Sequence, residues 1–174
     1  LANGDKKKMR RYFNTEGQCE SDIHYMVNIE GRLRYIKDFL VDRGKYFVIN
    51  RGRQYGKTTM LKALEDYLKE DYTVVSLDFQ EIGTEEFRDA AGFTRAFARL
   101  IKRAFEGRNG NTASDLTEQL GHFAGNDTEF TLGELFAHIS KICAASVKPV
   151  VMMIDEVDSA SNNQVFIDFL ALLR

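Results

Sequence analysis

Apolar residues recur along most of the chain at the three- and four-residue spacing that is typical of amphipathic helices. In each such segment the apolar side chains fall on one face of a helix, and polar or charged side chains fall on the other. One helix start carries a capping-box pattern, because Thr131 precedes an apolar run and Glu134 follows three positions later. The spacing predicts six helices, over residues 30–41, 60–68, 93–105, 115–123, 132–143 and 165–173.

Three shorter segments lack this spacing and predict strands. Residues 46–50 hold an apolar run that ends at Asn50, and residues 150–154 are continuously apolar; both are the pattern of a strand buried on both faces. Residues 72–79 are rich in β-branched and aromatic residues. Strands that alternate with helices along a chain are typical of a parallel sheet covered by helices. We therefore expect an α/β fold.

The beginning of the chain has a different composition. Residues 1–8 are polar and rich in lysine, and residues 9–27 spread aromatic residues among Gly, Asn, Ser and Asp. We expect an N-terminal arm and lead-in segment over residues 1–27 and a folded core over residues 28–174. A length of 174 residues suits one domain with a sizeable core or most of a larger one.

Charge and hydropathy narrow the classes of function. The 26 acidic and 24 basic residues give a net charge of −2, which does not indicate nucleic-acid binding and does not exclude a local basic patch. No apolar run approaches the roughly 18 residues that cross a bilayer, and the start has no signal-peptide core. We expect a cytoplasmic protein with no membrane contact.

Cysteine and histidine give no pattern of a metal or redox site. Cys19 and Cys143 lie far apart in the sequence, which favours a reduced, cytosolic setting. His24, His122 and His138 are equally scattered, and we interpret them as ordinary packed or surface residues. The chemistry must come from other residues.

The segment between the first predicted strand and the helix at 60–68 has the features of a phosphate-binding loop. Gly56 permits a tight turn that brings several backbone N–H groups together, and the following helix adds its N-terminal amides and positive dipole end. In this hypothesis Lys57 contacts the β- and γ-phosphates, Thr58 ligates Mg²⁺ and Thr59 lies beside the α-phosphate. The other expected nucleotide-binding residues are Gly52, Arg53, Gln54 and Tyr55.

The loop departs from the pattern G-x-x-x-x-G-K-[ST] at one position. Arg51 stands where the pattern has glycine, and Gly52 follows one place later. The alternative interpretation is a helix-capping turn with a solvent-exposed lysine.

A second polar pair follows the predicted strand at 150–154. Asp155 and Glu156 place two carboxylates at the strand tip, where they need partners or water. In P-loop ATPases such an aspartate holds magnesium through water, and the next glutamate polarises the attacking water. We expect Asp155 and Thr58 at the metal, and Glu156 with Lys57 as catalytic residues; the alternative is two solvated acids that open a loop. Both halves occur in the expected chain order, so the sequence predicts nucleotide binding.

With these two segments the sequence resembles the AAA-like P-loop ATPases, a predicted AAA-ATPase group related to archaeal-type and STAND-like ATPases. The group uses loops of the form R-P-R-x-x-G-K-[ST], in which Arg51 is tolerated, whereas Gly52 replaces the usual proline. The resemblance spans residues 13–174 and implies a parallel-sheet P-loop core of the additional-strand type, with ATP and Mg²⁺ as cofactors. It also implies that the upstream arm lies near the adenine, which makes Tyr25 a candidate base contact; a packed aromatic is the alternative.

The resemblance implies an ATPase module that couples hydrolysis of a phosphoanhydride bond to conformational change or to a partner. Glu156 directly after Asp155 favours hydrolysis over transfer to a second substrate. The alternative function is a nucleotide-dependent signalling or binding switch with little or no hydrolysis. The sequence does not by itself distinguish ATP from GTP, although it has no guanine-reading N-K-x-D motif.

The implied sheet order leads to a further expectation. In the additional-strand fold one strand, later in the chain than residues 150–154, lies between that strand and the P-loop strand. We therefore expect an incomplete core, which residues beyond Arg174 or strand exchange with another chain would complete, and a protein partner or self-association through that region. Asp78 or Gln80 is expected on the γ-phosphate side near Glu156, with a solvated strand end as the alternative.

Overall fold

The protein is described by a computed structural model over residues 11–14, 22–50, 56–106, 114–125, 130–157 and 163–173. The chain divides into two compact units, Leu1–Tyr67 and Leu68–Arg174. Within the described ranges no helix has the length and apolar character needed to cross a membrane. The elements are, in order, α1 (Glu30–Ile36), α2 (Lys57–Leu68), β1 (Thr73–Asp78), α3 (Ala90–Glu106), α4 (Ser114–Ala124), α5 (Leu132–Ala145), β2 (Val150–Asp155) and α6 (Gln164–Leu172).

In the first unit, the helix predicted over residues 30–41 is confirmed with a change of winding. Helix α1 gives way to a π-helical segment, Lys37–Val41, so the last five residues are wound more widely than an α-helix. Leu33 and Ile36 are buried as their spacing predicts, whereas Phe39 is 44% exposed. The wider winding turns Phe39 away from the face that the α-helical spacing assigned to it.

The strand predicted over residues 46–50 is wrong. These residues have no regular secondary structure, and Tyr46 and Val48 are 70% and 84% exposed. A strand needs a neighbour to receive its backbone hydrogen bonds, and no described segment pairs with residues 46–50. The apolar composition of residues 46–50 predicts burial, but it does not supply a strand for these residues to pair with.

In the second unit, β1 and β2 form a parallel pair, with Cα partners running from Thr73 opposite Val150 to Asp78 opposite Asp155. The two strands predicted over residues 72–79 and 150–154 are therefore confirmed. Burial differs between them, because Val74, Val75 and Leu77 are buried in β1, whereas Met153 is the single buried residue of β2. Strand β2 is thus less enclosed than its apolar sequence predicts, since β1 is its one partner among the described strands. Residues 47–50 do not pair with it, so the expected order of the complete sheet stays a prediction.

The helices of the second unit cover this pair and supply most of its core. Helix α3 contacts β1, α4 and α5, and its apolar stripe is buried as predicted. Helix α5 begins at the predicted capping box, in which the Glu134 N–H donates to Thr131 Oγ1 over 3.2 Å and the Thr131 N–H donates to Glu134 Oε2 over 2.8 Å. The Thr131 hydroxyl also donates to Glu134 Oε2 over 2.8 Å, and the hydrogen bonds that this carboxylate accepts from the Thr131 N–H and hydroxyl lower the pKa of Glu134.

Phe79 lies at the centre of an aromatic cluster that begins directly after the tip of β1. Its side chain is fully buried, and it follows Asp78 in a short 3₁₀ turn. Helices α3 and α6 both contribute rings to the cluster, so it joins the β1 tip to the helix that follows β2. The ring centroids nearest to Phe79 are those of Phe169 at 5.6 Å, Phe97 and Phe166 at 6.1 Å, Phe93 at 6.2 Å and Phe87 at 6.4 Å.

Candidate nucleotide site

The first candidate feature, in the first unit, is the turn that leads into α2. Gly56 has φ +71°, in the left-handed region that glycine adopts without the steric cost that other residues meet. Its carbonyl accepts a hydrogen bond of 2.9 Å from the Met60 N–H, so the glycine stands immediately before the first helical turn. A Cβ added at Gly56 would contact no atom within 4 Å, which means that backbone conformation rather than crowding requires the glycine.

Helix α2 then places the candidate phosphate and metal ligands at its first positions. Lys57 is the first residue of the helix, followed by Thr58 and Thr59. Thr58 is exposed, while Lys57 and Thr59 are half-buried. The first amides of a helix have no partner within it, and its dipole is positive at this end, so this turn suits an anion.

The remaining loop residues that the sequence assigns to the nucleotide lie outside the described residues. These residues are Gly52, Arg53, Gln54 and Tyr55, together with Arg51 at the departure from the pattern. Their assignment stays a prediction.

A separate candidate feature, in the second unit, is the carboxyl end of the β1–β2 pair. Asp155 is the last residue of β2 and Asp78 is the last residue of β1, and their Cα atoms are partners in the parallel register. Both side chains are half-buried. Because adjacent strands lie about 4.8 Å apart, the register brings the two carboxylates to one edge of the sheet.

Glu156 follows Asp155 with an unusual backbone. Its φ of +56° is the single positive value at a non-glycine residue in the described part of the chain. Its N–H donates to Oδ1 of Asp155 over 2.9 Å, and its side chain is half-buried. Sequence reasoning identified Glu156 by type but missed this conformation, for which the local sequence has no glycine or asparagine signal.

Asp78 also closes its own turn. Its Oδ1 accepts a hydrogen bond of 2.9 Å from the Gln80 N–H, which caps the 3₁₀ turn after β1. Gln80 itself is exposed. Asp78 is therefore at the predicted strand tip, beside Asp155, whereas its proximity to the Glu156 side chain and to a γ-phosphate stays a prediction.

The candidate base contact lies in the described part of the N-terminal arm. Tyr12 and His24 form a parallel bridge, in which the Tyr12 N–H donates to Ile23 and the Tyr25 N–H donates to Tyr12, over 3.1 and 3.0 Å. The Tyr25 ring lies 5.0 Å from that of Phe13 and is 55% exposed. Tyr25 is thus a surface aromatic with a partner ring rather than a core residue, and its role toward a base stays a prediction.

Histidine and cysteine take the packed positions that the sequence indicates. His24 and His138 are buried, and His138 lies with its ring 5.3 Å from that of Phe123. Burial raises the pKa of the Cys143 thiol. No cluster of three potential metal-ligating residues occurs within the ranges that the structure describes.

The first unit thus holds a glycine-to-helix turn, and the second unit holds an acidic edge at the ends of parallel strands. A family model described as AAA-like domain matches residues 15–174. The chain therefore belongs to the AAA-like domain family, and its two-stranded parallel sheet with flanking helices fits such a domain. Membership indicates a nucleotide-binding function of the ATPase type. Comparison with curated proteins gave no match, and neither did comparison with solved structures.

Proposed function

We propose that this chain binds ATP with Mg²⁺ and hydrolyses it, and that hydrolysis drives a conformational change felt by a protein partner or a second copy. The observation that carries the proposal is Gly56 at φ +71°, which leads directly into a helix that starts with Lys57 and Thr58. A left-handed glycine before a lysine at a helix start is the local geometry that a triphosphate-binding turn needs.

The chemistry of the side chains fits this ligand. Thr58 and Asp155 offer a hydroxyl and a carboxylate, the oxygen donors that Mg²⁺ accepts directly or through water. Lys57 would bind the β- and γ-phosphates, and the α2 amides with Thr59 would hold the remaining oxygens. When bound, Mg-ATP supplies the transferable γ-phosphoryl group and a cation that offsets its charge.

Glu156 would accept a proton from the attacking water and orient it toward the phosphoryl group. Tyr25 would contact the adenine face, because its ring is exposed and already paired with Phe13. These assignments extend the roles of the residues that the sequence singles out.

Calorimetric titration with Mg-ATP tests the binding half of the proposal. We expect Lys57→Ala to weaken binding about 10- to 100-fold while the circular dichroism spectrum is unchanged, because a charge-assisted contact to phosphate is lost. Lys62→Ala is the matched control, since Lys62 lies on the same helix and pairs with Glu65 at 3.5 Å. Unchanged affinity in Lys57→Ala, or an equal loss in Lys62→Ala, would contradict the assignment.

Single-turnover hydrolysis tests the catalytic half. Glu156→Gln should retain Mg-ATP affinity and lose turnover, because glutamine keeps the shape but cannot take the proton. Glu85→Gln, an exposed carboxylate of the same unit paired with Arg88, should hydrolyse at the wild-type rate.

A nucleotide-dependent switch with little or no hydrolysis is the second candidate. Tight Mg-ATP binding with equal, very slow hydrolysis in wild type and Glu156→Gln would select the switch.

A further inference from the structure

Two short segments of the N-terminal arm are held side by side by backbone hydrogen bonds. The Tyr12 N–H donates to the Ile23 carbonyl over 3.1 Å, and the Tyr25 N–H donates to the Tyr12 carbonyl over 3.0 Å. Tyr12 and His24 lie opposite each other in this parallel bridge, so their side chains share one side of it. Successive side chains of an extended chain point to opposite sides, which puts Phe13 and Tyr25 together on the other side.

The side that carries Tyr12 and His24 anchors the bridge. His24 is 5% exposed, and its ring lies edge-on to that of Tyr12, with the ring centroids 4.8 Å apart. Because His24 is buried, the residues packed around it set its position, and the edge-on contact carries that constraint to Tyr12. The bridge therefore rests on side-chain packing as well as on its two backbone hydrogen bonds.

The opposite side carries an exposed aromatic pair. Phe13 is 78% exposed and Tyr25 is 55% exposed, and their ring centroids lie 5.0 Å apart with an angle of 37° between the ring planes. Rings at this distance are in contact, so each limits the rotation of the other. Both rings are still largely open to solvent, and an open aromatic ring is a surface on which a nucleotide base stacks favourably.

We propose that Phe13 is a positioning residue for Tyr25 in base binding, an inference that rests on the proposed function. The backbone bridge brings Phe13 beside Tyr25, and the contact between the two rings keeps Tyr25 in one orientation before the nucleotide binds. A ring that is already ordered loses less entropy when a base stacks on it. The two fused rings of a purine cover more of an aromatic surface than the single ring of a pyrimidine, so the pair favours ATP over CTP.

Calorimetric titration with three magnesium complexes separates binding of the base from binding of the phosphates. The ligands are Mg-ATP, Mg-CTP and Mg-tripolyphosphate, which has the phosphate chain without a base. Phe13→Ala should weaken Mg-ATP binding about 2- to 10-fold, because a contact between aromatic rings is lost, and should leave Mg-tripolyphosphate binding unchanged. Phe13→Tyr keeps the ring and should bind Mg-ATP as the wild type does, whereas Phe13→Leu should behave like Phe13→Ala. The wild type should prefer Mg-ATP to Mg-CTP, and Phe13→Ala should narrow this preference.

Tyr35→Ala is the matched control, because Tyr35 is 57% exposed in the same unit and its ring stacks on Phe39. It should leave the affinities for all three ligands unchanged. Since Phe13 is exposed, its variants should keep the wild-type circular dichroism spectrum. Equal losses for Mg-ATP and Mg-tripolyphosphate in Phe13→Ala, or no loss for either, would overturn the inference, and the proposed function would stand if Lys57→Ala weakens both. Absence of binding of all three ligands to the wild type would overturn the proposed function, and with it the role of Phe13.

Discussion

Replacing Phe79 with alanine should be the most destabilising of the single changes considered for the second unit. Phe79 is fully buried, with a solvent exposure of 0%. The centroids of five other phenylalanine rings lie within 6.4 Å of its own ring centroid. Removing a fully buried phenylalanine side chain costs about 3–5 kcal/mol, from the lost burial and from the cavity that remains. Because domains of this kind unfold with about 5–15 kcal/mol, the change should remove about a fifth or more of the stability.

Urea unfolding followed by far-ultraviolet circular dichroism measures this effect. Phe79→Leu keeps an apolar side chain in the cluster and should cost about 1.5 kcal/mol or less. Val147→Ala, at a residue that is 79% exposed in the same unit, should change the free energy of unfolding by about 0.5 kcal/mol at most. A Phe79→Ala cost below about 1 kcal/mol, with unchanged dependence on urea, would refute the view that this cluster is the centre of the core.

Three further changes follow from local geometry. Gly56→Ala should lower the free energy of unfolding by about 1–2 kcal/mol because Gly56 has a φ of +71°, whereas Gly31→Ala, in helix α1, should raise it by about 0.5–1 kcal/mol. Urea unfolding of both variants measures these changes, and equal effects would contradict the argument. Thr131→Ala should lower the melting temperature at neutral pH. Because the pKa of Glu134 is lowered, its carboxylate stabilises the fold above the ordinary glutamate range, and the difference in melting temperature from wild type should narrow as acid protonates it. A difference that stays constant with pH would contradict this role of Glu134. Cys143 should react with iodoacetamide more slowly in the folded than in the denatured chain, as peptide mass spectrometry would show, because burial raises the pKa of its thiol; equal rates would be inconsistent with that burial.

The helices were the part of the fold that the sequence predicted best. In α3 the apolar stripe is long and regular, and the observed helix, Ala90–Glu106, contains the whole predicted segment. In α5 the capping box of Thr131 and Glu134 marks the start by a short-range hydrogen-bond pattern. Both signals are local, so neither requires knowledge of distant contacts.

The failures concern features that depend on distant or backbone geometry. Residues 46–50 have the composition of a strand, but pairing is a property of two segments, and composition describes one. Glu156 was predicted as a site residue, but glutamate as a residue type gives no indication of a φ of +56°. The sequence predicts the candidate residues by type, whereas their backbone conformations had to come from the structure.

The register that sets Asp78 opposite Asp155 has a consequence for how the protein responds to heat. Under the proposed function, Mg-nucleotide binds at this edge in the folded chain and not in the unfolded chain. Folding and ligand binding are then linked, so the melting temperature should rise with the logarithm of the Mg-nucleotide concentration once this exceeds the dissociation constant. The melting temperature therefore reports how much of the site is occupied by ligand. A variant selected only for heat resistance would tend to lose this dependence on the ligand.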